Sequence, residues 1–145
     1  MYKELTIGSI FGTYSGIITA LGLTLGIYGG GLDKKAHIIG LISIAISDSL
    51  SDAYGMYNAT GFSINESIHT LAGKFSFPML MIIPYLLFRI KYAIFINILF
   101  STIVIGLISY RLIGNIGDTI NNIILTWMVI TLVYYAGTSI RKFDF

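Results

Sequence analysis

Apolar residues along this chain gather into five long runs, roughly Leu5 to Gly30, His37 to Tyr57, Leu71 to Phe88, Tyr92 to Ile113 and Ile120 to Ile140, with short polar stretches between them. A helix rises about 1.5 Å per residue, so about 20 apolar residues cross the ~30 Å hydrocarbon core of a bilayer. The pattern predicts an all-α integral membrane protein: five transmembrane helices forming one membrane domain over residues 1–145. Leu32-Asp33-Lys34-Lys35 reads as a turn, Arg89 and Lys91 close a tight one, and Gly114 to Asn122 supplies another. Asn58 to Lys74 is the one long polar stretch. Pro78 and Pro84 lie inside the third run, where each removes a backbone hydrogen bond and bends the helix. The carbonyls they free need a partner from protein or from water in a cavity.

Small residues mark the first run. Gly8, Gly12, Gly16 and Ala20 recur every four residues, and Gly22, Gly26 and Gly30 continue on a rotated stripe. That spacing lets another helix come close, which is how helices associate in lipid, and packing within the chain is favoured over dimerisation or pore lining. Thr13, Ser15, Thr19 and Thr24 add hydroxyls to the same run. Asn97, the main polar residue of the fourth run, is read as a helix-to-helix hydrogen bond.

Composition sharpens the class. At 145 residues, 55% hydrophobic and 11% charged, with a mean hydropathy of +0.82, the chain is far more apolar than a soluble domain of its size. It has no cysteine, which excludes disulfides, thiolate metal sites and thiol nucleophiles, and its two histidines leave little for zinc chemistry. A net charge of +2 is too small and scattered for a nucleic-acid partner. The first apolar run is too long for a cleaved signal peptide and is expected to stay in the membrane. Lys3, Lys74 and Arg111 fall on one side of five spans; Lys34, Lys35, Arg89, Lys91, Arg141 and Lys142 fall on the other. The positive-inside rule then puts the second set in the cytoplasm and the amino terminus outside.

The candidate chemistry sits in the second run. Asp48 and Asp52 stand four residues apart on one helical face, and Asp48 falls near mid-membrane, where a carboxylate costs roughly 2.5 to 3.5 kcal/mol. Met56 continues their row, and Ser43, Ser47 and Ser51 run beside it. Two hard carboxylates with a soft thioether suit a divalent transition ion passing through weak sites better than a closed cage. The alternative is a pair of packing carboxylates, at least one of them protonated. Glu66 and His69 have the i, i+3 spacing of carboxylate-bridged metal bundles. A solvated turn or helix start is favoured for them, with an outer ion-collecting site as the functional reading. Asn58-Ala-Thr60 and Asn65-Glu-Ser67 fit the glycosylation pattern.

These residues resemble a known family. Ile7-Gly8 opening a glycine-rich helix, Ile44-Ala-Ile-Ser-Asp-Ser-Leu-Ser-Asp-Ala-Tyr-Gly-Met-Tyr57, Phe75-Ser-Phe-Pro-Met-Leu-Met-Ile-Ile-Pro-Tyr85 and Val133-Tyr-Tyr-Ala-Gly137 look like the small archaeal-type members of the vacuolar iron transporter family. The resemblance implies a five-helix homodimer exporting Fe2+ or Mn2+ from the cytosol, coupled to protons, along a path formed by the first two spans of both subunits. It implies that Asp48 or Asp52 is the acid of the second span, that Met56 is the methionine ligand, and that the amino terminus is cytosolic. Phe11 precedes Gly12 where the family carries an aspartate, and the cytosolic metal-binding helices of plant and parasite members shrink here to the segment holding Glu66 and His69.

The expected function is therefore a proton-coupled antiporter of divalent metal, multi-pass in a prokaryotic plasma membrane, with lipid, metal ions and a second copy as partners. The expected metal-site residues are Asp48, Asp52, Met56, Ser47, Ser51, Glu66 and His69. No resident cofactor is expected, and no enzymatic turnover, because no nucleophile, base and orienting group fall together. The rivals are a non-transporting membrane interaction protein and a cation channel lined by aspartates.

Overall fold

The computed structural model describes residues 6–61 and 63–143, which fold as α1 (Ile7–Gly29), α2 (Lys34–Ala59), α3 (Ile64–Leu87), α4 (Ile90–Ile113) and α5 (Ile116–Ile140). No strand occurs among the described residues. Lys3 and the predicted start of the first run at Leu5 lie outside them. Each helix is long and apolar enough to cross a bilayer. Two to four residues connect consecutive helices, so neighbours in sequence run antiparallel.

Side chains fix where most of the helices begin. The side chains of Thr6, Asp33, Ser63 and Asn115 accept from backbone N–H groups of Ser9, Ala36, Glu66 and Gly117, satisfying amides that the first helical turn leaves without partners. The Ser63 cap moves the start of α3 to Ile64, ahead of the apolar run that opens at Leu71. Most of the polar stretch from Asn58 to Lys74 is consequently helical, with Lys74 ten residues inside α3. The Asn115 cap likewise starts α5 at Ile116, ahead of Ile120. Gly114 ends α4 at φ 67°, in the left-handed region where a Cβ is disfavoured.

α1 is the central helix and packs against all four others. Its first glycine stripe meets α3 backbone to backbone: a Cβ on Gly12 would lie 2.5 Å from the Thr70 carbonyl oxygen, and one on Gly16 would lie 3.1 Å from the Lys74 Cα. Gly73 answers from α3, where a Cβ would lie 2.9 Å from the Gly12 carbonyl carbon. Near the other end of α1, Gly26 and Gly29 meet α5 at Val133, Tyr134 and Gly137 in the same way. The small-residue stripe is thus a seam within the chain. Asn97 Nδ2 donates to the Met81 carbonyl at 3.0 Å, tying α4 to α3 as its isolation in an apolar run indicated. α2 buries His37, Leu41, Ala45, Ser49 and Ala53 at four-residue spacing and turns Ile39, Ile46, Leu50 and Tyr54 outward. Large apolar side chains cover the outside of the bundle in the same manner, including Phe95, Leu107, Ile124 and Leu132.

Candidate functional site

Three helices converge where α1 and α3 are closest. Counted along each axis at about 1.5 Å per residue, Ser15, Asp48, Asp52 and Lys74 lie roughly 10–17 Å from the end of the bundle that holds Ile7, Ala59 and Ile64, which is near mid-height. The glycine seam brings the Lys74 backbone against Gly16, so its side chain leaves α3 between α1 and α2. There the ammonium is almost fully buried, its side chain 4% exposed, while the side chains of Asp48 and Asp52 keep 32% and 24% of their surface.

Lys74 Nζ lies 2.6 Å from Asp52 Oδ2 and donates a hydrogen bond to it. It lies 2.8 Å from Asp48 Oδ2 as an ion pair without hydrogen-bond geometry. It also donates to Ser15 Oγ at 2.6 Å, and that hydroxyl in turn donates to Asp52 Oδ2 at 3.3 Å. Among the described residues these are the two ion pairs of the chain, and both belong to Lys74. With both carboxylates ionised the cluster carries one negative charge in excess.

The other expected site residues are more dispersed. Met56 is half-buried one turn beyond Asp52 on the same row of α2. Ser47 and Ser51 are exposed on the outward face, and the Ser47 hydroxyl donates to the Ser43 carbonyl at 2.7 Å. Glu66 accepts a hydrogen bond from the Gly8 backbone N–H, which places a carboxylate at the positive end of α1. That contact gives Glu66 a structural use at a helix start. His69 is half-buried one turn farther along α3. No group of three or more His, Cys, Asp or Glu side chains able to hold a metal converges among the described residues. The site's donors are instead two aspartates and a serine around a lysine.

Lys74 and Ser15 are the members that sequence reasoning missed. Lys74 looked like the end of a solvated segment because His69, Thr70 and Gly73 precede it. A signal was present in the spacing: Thr70, Lys74, Pro78, Met81 and Tyr85 follow a helical stripe, and all five are buried. A lysine on that stripe belongs inside the bundle and needs an acid opposite it.

Compared with known proteins, the chain matches no family model, no curated protein and no solved structure.

Proposed function

We propose that this chain is a multi-pass membrane transporter of divalent metal cations, Fe2+ or Mn2+, that exchanges its cargo for protons at the Asp48–Asp52 pair and acts as a homodimer, in the manner of the vacuolar iron transporter family it resembles. One observation carries the reading: two aspartates share a single buried lysine at mid-height of helices long and apolar enough to cross a bilayer. Ionisable groups at such a depth are expensive, and transport is their commonest use. In the proposed cycle the empty pair holds a proton beside the Lys74 ammonium. An arriving divalent ion displaces that proton and takes the seat between the carboxylates, moving Lys74 aside. Asp48, Asp52 and Ser15 then supply hard oxygen donors, and Met56 a soft one a turn away.

The homodimer of the proposal rests on α2. The open edges of Asp48 and Asp52 stand beside an outward row of Ser43, Ser47, Ser51 and Gly55, and nothing approaches within 4 Å of a Cβ built on Gly55. A second copy along that row covers both carboxylates with closely packed backbone. α1 packs against all four other helices and meets the aspartates through Ser15, which argues for a path bordered chiefly by α2 rather than shared equally between the first two spans.

A structural latch is the second reading, favoured by one specific observation. The Lys74 ammonium donates to Asp52 and Ser15 and forms an ion pair with Asp48, as it would in a permanent tie between α1, α2 and α3. Calorimetric titration with Mn2+ of the protein in lipid nanodiscs separates the two. Transport predicts binding whose heat varies with the buffer's ionisation enthalpy, weakened at least about tenfold, or about 1.4 kcal/mol, by Asp48→Asn or Asp52→Asn. A parent protein that binds no Mn2+ overturns the transport reading in favour of the latch.

A further inference from the structure

A second polar group lies between the Lys74 cluster and the basic end of the bundle, the end that holds Lys34, Lys35, Arg89 and Lys91, and takes no part in that cluster. His37 on α2, Tyr85 on α3 and Ser101 on α4 are completely buried, and His37 Nε2, Tyr85 Oη and Ser101 Oγ have no hydrogen-bond partner. The His37 ring lies 5.0 Å from the Tyr85 ring, centroid to centroid. Its Nδ1–H donates to the Asp33 carbonyl at 2.8 Å, and Nε2 on the other side of the ring has no partner. The Tyr85 hydroxyl sits beside the Thr24 and Asn97 side chains, with no hydrogen bond of standard geometry to satisfy it. Thr24 directs its own proton at the Ala20 and Leu21 carbonyls and so offers Tyr85 only lone pairs. Ser101 is one turn along α4 from Asn97, on the same face.

The chain adds two more acceptors along this line. Pro84 and Pro78 have no N–H, so the carbonyls of Leu80 and Lys74 lose their helical donors. Measured from the basic end at about 1.5 Å per residue, His37 and Tyr85 lie roughly 3–5 Å deep, Thr24 and Asn97 roughly 8–11 Å, and Ser101 roughly 17 Å. The Lys74 carbonyl comes next, about one turn below Pro78. Donors and acceptors from four helices are therefore spaced along the bundle axis between the basic end and the level of Lys74.

An unsatisfied polar group surrounded by hydrocarbon is costly, and buried groups of this kind are met by internal water with two to four partners each. We infer that a file of internal water runs from the basic end of the bundle past His37 Nε2, Tyr85 Oη and Ser101 Oγ to the level of Lys74. Its bound species is water, and each of the three side chains is a ligand to it. Use of the file as the proton route to the Asp48–Asp52 pair rests on the transport reading; the water itself does not.

Water-edited solid-state NMR on the full chain in lipid bilayers tests this, because the chain has just two histidines, His37 and His69. The file predicts that magnetisation from water reaches the buried His37 ring as fast as it reaches the half-buried His69. Build-up at His37 as slow as at the buried Met81 methyl group overturns it. Thermal stability gives an independent readout. Hydroxyls bound to water are lost at a cost, so Tyr85→Phe and Ser101→Ala both lower the melting temperature; dry, unpartnered hydroxyls are a liability, so a rise in either variant overturns the file. Neither readout requires transport. A dry His37 sinks the file and leaves the transport reading standing, whereas a wet His37 in a protein that binds no Mn2+ does the reverse.

Discussion

Lys74 holds α1, α2 and α3 together through its partners Ser15, Asp48 and Asp52. Removing one member of a buried ion cluster leaves the others uncompensated and typically costs about 3–5 kcal/mol. Lys74→Met is therefore expected to lower unfolding stability by about that amount. The triple variant Lys74→Met, Asp48→Asn, Asp52→Asn, which has no charge left to compensate, recovers most of the loss, and denaturant unfolding of the four combinations measures the coupling. Glu66 works on a smaller scale. Its carboxylate meets the Gly8 N–H at the start of α1, so Glu66→Gln is expected to cost about 0.3–1 kcal/mol by the same unfolding measurement, without altering cation binding. At this scale the sequence was half legible. Asp48 and Asp52 announced themselves because carboxylates stand out inside an apolar run. Their partner did not, because a lysine following a polar stretch looks solvated until the helix that contains it is seen to begin at Ile64.

Among the helices, α1 owes its central place to glycine. Gly8, Gly12 and Gly16 let α3 approach until backbones touch, and that approach sends the Lys74 side chain into the gap between α1 and α2. Gly12→Ala and Gly73→Ala both drive a methyl group into opposing backbone, which overpacks the seam at a cost of about 1–3 kcal/mol or more. Gly55→Ala meets no atom within the chain and relieves a helix-interior glycine, so the isolated protomer gains up to about 1 kcal/mol. If α2 is the dimer face, the same Gly55 substitution weakens self-association, measured by cross-linking or analytical ultracentrifugation in detergent. The five helices were plain in the sequence because apolar runs of this length have few alternatives. Their starts were not, since Ser63 and Asn115 extend α3 and α5 into residues whose composition reads as loop.

For the whole molecule, the helix order gathers Lys34, Lys35, Arg89 and Lys91 at one end of the bundle, with Arg141 just past α5 at the same end. With Lys74 inside the bundle it no longer counts for either side, which widens the charge difference between the ends. The positive-inside rule then points the basic end toward the cytosol, opposite to the topology the family resemblance implies. The cysteine-free chain makes this direct to measure: a single Lys35→Cys variant in cells resists a membrane-impermeant maleimide, while Asn115→Cys at the other end reacts. The reverse labelling restores the family's orientation. For the proposed function the sequence offers only a debt of charge in an apolar setting, because no catalytic or metal-binding motif of high specificity occurs in the chain.

The most direct test is Mn2+ uptake into proteoliposomes carrying the parent protein or Asp52→Asn, with and without a proton gradient. Cation exchange at the aspartate pair predicts uptake by the parent whose rate follows the gradient and which falls to the level of empty vesicles in Asp52→Asn. Uptake unchanged by Asp52→Asn, or no uptake by a folded parent, contradicts it.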